Sequence, residues 1–250
     1  MTKPARGISV FFFPVFLAAL PAFAESPADA LAPLVTRLQK GGQSSYSYAL
    51  RQYNRVESSR RLDVFGRYEV HKGLLTALRG QVDKDLLAVT RGLLKKRTSS
   101  VYPSQVIALK AFSGSVGGGV SRADVVGLYT EGTRSKDRGL QTWSVRLLVD
   151  SGWPEAIDAL IMRLREEEDA GRHLEDLASV LQSELYRALG AAAVGDAGGI
   201  KKRWETMGKK VPDEPNYDPK VSGGGGNTVF FGDRIALRAI FCIDISSSMK

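Results

Sequence analysis

The sequence predicts a mainly α-helical chain, built of helical hairpins or of an irregular helical bundle, that leads through a Pro/Gly-rich linker into the first strand of an α/β domain. Three observations carry this. Apolar residues recur at i, i+3, i+4 and i+7 spacings between Ser26 and Lys210. Val211 to Asp233 then holds Pro212, Pro215, Pro219 and the four glycines Gly223 to Gly226, too little apolar content to pack. Beyond it, Ala236 to Ile243 ends in the β-favouring run Ala-Ile-Phe-Cys-Ile, apolar on both faces as a buried central strand requires. With 250 residues, 43% of them apolar and 25% charged, the chain can bury a core, which excludes wholesale disorder and collagen-like repetition. The single Cys242 cannot form an internal disulfide, and His71 and His173 stand too far apart in sequence to suggest a zinc cluster.

The amino end reads as a secretory signal peptide, residues 1–24. Lys3 and Arg6 precede the apolar stretch Ile8 to Leu20, and Ala22-Phe23-Ala24 supplies the small-x-small site that a signal peptidase accepts. Pro4, Pro14 and Pro21 argue against a buried helix there. Cleavage after Ala24 and export are expected, to the periplasm, the cell surface or the medium. Cleavage removes two bases and no acid, so the net charge falls from +8 to +6. The bases that remain are dispersed among acids except at Lys95-Lys96-Arg97, and no nucleic-acid partner is expected. The apolar stretch falls short of the roughly 18 residues that span a bilayer, so no transmembrane helix is expected after cleavage.

Residues 25–210 read as a helical, repeat-like domain. Ser26 and Pro27 form an N-cap and a first-turn proline, followed by Leu31, Leu34, Val35 and Leu38, and Gly41-Gly42 closes that helix. The polar stretch Gln43 to Arg61 gives no clear period. Leu74, Leu75, Leu78 and Val82 restart one, which Leu86, Val89, Leu93 and Leu94 continue. Pro103 opens a helix that the glycines from Gly114 to Gly119 close, and Ser121 caps the next. Leu140, Trp143, Leu147 and Leu148 share a face, and the chain breaks at Asp150 to Pro154. Ile157, Leu160, Ile161 and Leu164 follow the helical template, as do Leu174, Leu177, Ala178, Leu181 and Leu185. Each amphipathic helix can hide its stripe only against the next. Ser151 to Glu167 resembles a HEAT-type repeat, whose hairpins stack into a solenoid.

Features that suggest an enzyme have plainer readings. Gly114 to Gly119 lacks the Lys-Ser/Thr of a phosphate-binding loop and reads as a flexible turn. Glu166 to Asp169 are consecutive acids that read as a solvated face. His71 and His173 have no nucleophile motif beside them, Trp143, Trp153 and Trp204 read as core anchors, and Cys242 as a small apolar strand residue. No catalytic residues are assigned.

The constellation with chemistry follows the final strand. Asp244, Ser246 and Ser248 place a carboxylate and two hydroxyls in one loop at the carboxyl end of a buried strand, where ligands of open α/β sheets collect. Such hard oxygens suit Mg2+ or Mn2+. A capped turn is the plainer alternative. Ala239 to Met249 resembles the first strand and metal-ion-dependent adhesion site of a von Willebrand factor A domain. That resemblance implies that Asp244, Ser246 and Ser248 hold the cation while a partner protein's carboxylate often completes its coordination. Leu185 to Val211, with Ile200 to Glu205, and Thr228 to Gly232 resemble exported bacterial proteins in which helical repeats precede such a domain. Residues 234–250 supply only the opening of that domain, so a truncated domain is expected, with the family's later Thr and Asp ligands beyond Lys250 and the cation held only when the domain is complete. Two functions fit: an exported binding and scaffolding protein, or a non-catalytic accessory subunit of an envelope enzyme complex.

Overall fold

The structure is a computed structural model that describes residues 26–213 apart from 60, 97, 98, 115 and 173–175. Among the described residues there are ten α-helices and no strand. In chain order they are α1 (Pro27–Leu38), α2 (Gly42–Ser58), α3 (Val64–Arg79), α4 (Lys84–Leu94), α5 (Tyr102–Ala111), α6 (Arg122–Thr133), α7 (Arg138–Asp150), α8 (Pro154–Asp169), α9 (Asp176–Leu189) and α10 (Ala197–Thr206). The strand expected within residues 234–250 and the linker at 214–233 lie outside the described residues.

Local chemistry sets most helix starts. Ser26, Asp63, Asp83, Asp137 and Asp196 each sit in extended backbone and accept a bond from an N–H in the first turn, satisfying donors that have no partner inside the helix. Ser121 and Asp124 form a reciprocal capping box at α6. Pro27, Pro103 and Pro154 occupy first-turn positions, where no N–H is needed.

The packing follows one rule. Each helix lies against the helix two places along, giving one row of α1, α3, α5, α7 and α9 and a second of α2, α4, α6, α8 and α10. The rows face each other through α1 on α2, α2 and α4 on α5, α6 on α7, and α7 and α9 on α8. A single apolar core runs between them, from Leu34 and Leu38 at one end to Ile200 and Trp204 at the other. The central helix α5 is buried nearly all round, which removes any amphipathic stripe; its polar members are satisfied by neighbours. Asn54 on α2 donates to Ser104 Oγ and accepts from Ser104 N, both at 2.9 Å. Gln105 Nε2 donates to the carbonyls of Leu93, in the last turn of α4, and Lys96, just beyond it.

Three sequence expectations change here. Gln43 to Arg61 is largely helix α2: its buried stripe of Tyr46, Ala49, Leu50 and Tyr53 has helical spacing but relies on tyrosines. The period from Leu74 to Leu94 belongs to two helices, because Asp83 caps a new one after the break at Gly80 to Val82. The glycine-rich turn is a packing element: Gly118 has φ +58°, and a Cβ there would lie 2.1 Å from the Val82 carbonyl oxygen.

Candidate functional site

Asp244, Ser246 and Ser248 lie outside the described residues, as do His173, Leu174 and Cys242. Among the described residues, no group of three or more His, Cys, Asp or Glu is placed to hold a metal ion. Two other polar constellations are built by the fold.

The first lies where α2, α3, α5 and α7 meet. The Tyr53 hydroxyl and His71 Nδ1 share a hydrogen bond of 2.6 Å, tying α2 to α3. Burial, reinforced by the Glu57 carboxylate, pushes Tyr53 away from ionising. Burial, reinforced by the Lys110 charge, holds His71 below its ordinary value and hence neutral near pH 7. The Lys110 ammonium rests 3.8 Å from the Trp143 ring centroid, and burial followed by Arg79 pulls its pKa down. An un-ionised tyrosine against a neutral imidazole is a packing unit that joins α2 to α3. Of the three tryptophans, Trp204 is fully buried and donates through Nε1 to Asp158 at 3.0 Å, whereas Trp143 and Trp153 are half-buried beneath Lys110 and Arg122.

The second constellation is a cleft of roughly 680 Å3 at the edge of the stack, between the α6–α7 turn and the end of α8. The acids 166–169, expected to form a solvated face, instead do four different jobs. Glu167 is 2% exposed and is gripped by Arg163 from the preceding turn and by Arg172 from beyond the helix end. Glu166 accepts from Arg134 at 2.6 Å and Arg163 at 3.2 Å, Glu168 accepts from the Ala197 N–H that opens α10, and Asp169 lies 3.7 Å from Arg165. Burial pushes the Glu167 pKa up, but the Arg172 hydrogen bonds and the Arg163 charge outweigh it, leaving the carboxyl below its ordinary range. Arg163 is itself 8% exposed, and its Nε has no hydrogen-bonding partner among the described residues. Lys136, Arg138, Arg163 and Arg172 line the cleft against the single acid Glu167. Arg163 and Arg172 are both committed to that acid, so the cleft is first of all a buried ion-pair clamp that closes the end of α8. A helix period marks Arg163, Glu166 and Glu167 as near neighbours, but nothing in the sequence shows that Arg172 returns to close on them.

Ion pairs also tie neighbouring helices within a row. Arg146 and Arg187 converge on Glu184, at 3.1 and 2.6 Å, and Arg187 also reaches Asp150 at 2.7 Å, stapling α9 to α7.

No protein-family model, curated protein or solved structure matches this chain. No helix among the described residues is long and apolar enough to cross a membrane.

Proposed function

We propose that this chain is an exported, non-catalytic scaffold that binds other proteins, with a HEAT-like helical stack joined to a von Willebrand factor A domain. The observation that carries the reading is the regular two-row stacking of α1 to α10, because such a stack exposes long side surfaces without depending on a single pocket. The sequence adds the leader at residues 1–24 and the Asp244, Ser246 and Ser248 loop. In this reading Asp244 supplies charge and the two serines neutral oxygens to Mg2+ or Mn2+, and a partner's carboxylate completes the coordination.

The test is a calorimetric magnesium titration of protein spanning the entire metal-binding domain, beside its Asp244→Ala variant. Heat from metal binding is expected to vanish in the variant while the thermal melt of the helical stack is unchanged. Equal magnesium binding by both proteins would reduce the loop to a capped turn and remove the metal from the proposal.

A further inference from the structure

The first turn of α3 leaves large apolar side chains in water. Val64 is 68% exposed, Phe65 81% and Tyr68 61%, and their spacing puts them side by side on one face. The opposite face of the same helix buries Gly66, Val70, Leu74 and Leu78 in the core, so this outward ridge is extra to what the fold needs. Single exposed apolar residues are ordinary, but three contiguous ones with a protruding phenylalanine mark a contact surface.

Two observations say what covers it. The first is the path of the chain. The first turn of α1 lies against the first turn of α3: a Cβ on Gly66 would sit 3.4 Å from Pro27 Cγ. Six residues lie between Leu20, the end of the apolar leader stretch, and Pro27, a reach of at most roughly 25 Å. While the leader occupies a bilayer, the ridge is therefore held close to that bilayer's surface. The second is charge. Residues 51–72 carry six Lys/Arg against three acids, with Lys72 exposed one turn from Tyr68 and the acid Glu69 exposed between them. One of those acids, Asp63, is engaged as the cap of α3, accepting from Gly66 N at 2.6 Å. Aromatic side chains that settle at the headgroup level, in a segment whose bases outnumber its acids and so favour anionic lipid, are the chemistry of an interfacial membrane contact.

We infer that Val64, Phe65 and Tyr68 form a membrane-contact ridge that seats this end of the helical stack on an anionic lipid surface. The inference rests on the export reading, since it is the leader that brings this end to the bilayer. Three partly inserting side chains give weak, reversible attachment.

The test uses the full chain as processed by an expressing bacterial cell. Its amino terminus is sequenced first, and the protein is then floated with phosphatidylcholine vesicles, with or without phosphatidylglycerol. The native protein is expected to float with the anionic vesicles, and the Phe65→Ser/Tyr68→Ser double variant to lose about tenfold or more in partitioning. Loss of phosphatidylglycerol is expected to weaken the native protein. Phe65→Trp is expected to keep binding and to gain emission quenched by brominated lipid. Both substituted side chains are exposed, so circular dichroism of the double variant should match the native protein. Equal flotation of native and double variant, or flotation of neither, would overturn the inference. So would a double variant that keeps vesicle binding but loses a co-purifying protein, which would make the ridge a protein-docking face. An intact Met1 in a cytosolic fraction would sink the export reading separately, because native and variant chains share the same amino terminus and their comparison still reports on the ridge.

Discussion

Arg172 holds the buried carboxylate of Glu167 with two hydrogen bonds, Nε to Oε2 at 2.7 Å and Nη2 to Oε1 at 3.1 Å, across the turn that ends α8. Because Arg163 grips the same carboxylate, removing it strands a buried guanidinium. Glu167→Gln is expected to cost about 3 kcal/mol near neutral pH. Glu167 has a lower pKa folded than unfolded, so its stabilising contribution is present above the ordinary value of 4.5 and is lost as pH falls through the lower folded value. Urea unfolding of both proteins at about pH 7 and about pH 3 should show the gap between them shrinking in acid. A gap of the same size at both pH values would contradict the ion-pair account.

Gly118 and Gly114 both have positive φ, +58° and +71°, yet only Gly118 faces backbone, 2.1 Å from the position its Cβ would take. Gly114→Ala should cost about 1 kcal/mol, the strain of a left-handed alanine. Gly118→Ala should cost at least about 2 kcal/mol more, because the Val82 carbonyl must move. Matching melting temperatures for the two variants would show that the α5–α6 loop does not press on the α3–α4 connection.

Tyr46 tests the buried tyrosine stripe of α2. Its hydroxyl donates to the Gln81 carbonyl at 3.2 Å and to Asp83 Oδ2 at 2.7 Å, while the other oxygen of Asp83 caps α4. Tyr46→Phe keeps the ring and removes the donor, and is expected to destabilise by about 1–2 kcal/mol in chemical denaturation. No change would mean that water replaces the hydroxyl at no cost.

Trp204 fastens α10 to α8 through full burial of its ring and the bond to Asp158. Trp204→Ala should cost about 4 kcal/mol and raise amide exchange in 197–206 ahead of the rest of the stack. The half-buried Trp143→Ala should cost less. Reversal of that order would show that α10 contributes little to the core.

Much of the fold was legible because its signals act within one helical turn. Ser26, Pro103, Ser121 and Pro154 mark helix starts through a neighbouring N–H or its absence, and Ile157, Leu160, Ile161 and Leu164 declare one face by spacing alone. Helix α2 was not legible. Its stripe buries two tyrosines whose hydroxyls need distant partners: Tyr46 finds Asp83, 37 residues on, and Tyr53 finds His71, 18 residues on. The Asp83 cap was visible in principle, as an aspartate ahead of a new apolar period, but the leucines on both sides of it read as one helix.

The sequence by itself determined where most helices begin and that their apolar stripes need partners. Only the tertiary structure decided that the helices align in two rows, that Glu167 is a buried clamp and not a solvated acid, that Gly118 is required by a neighbouring carbonyl, and that the ridge at Val64, Phe65 and Tyr68 remains uncovered. The division has one physical cause. Capping and periodicity are settled by atoms a few residues apart, whereas the cost of burying a charge or exposing a ring depends on partners that the chain brings back from far along its length.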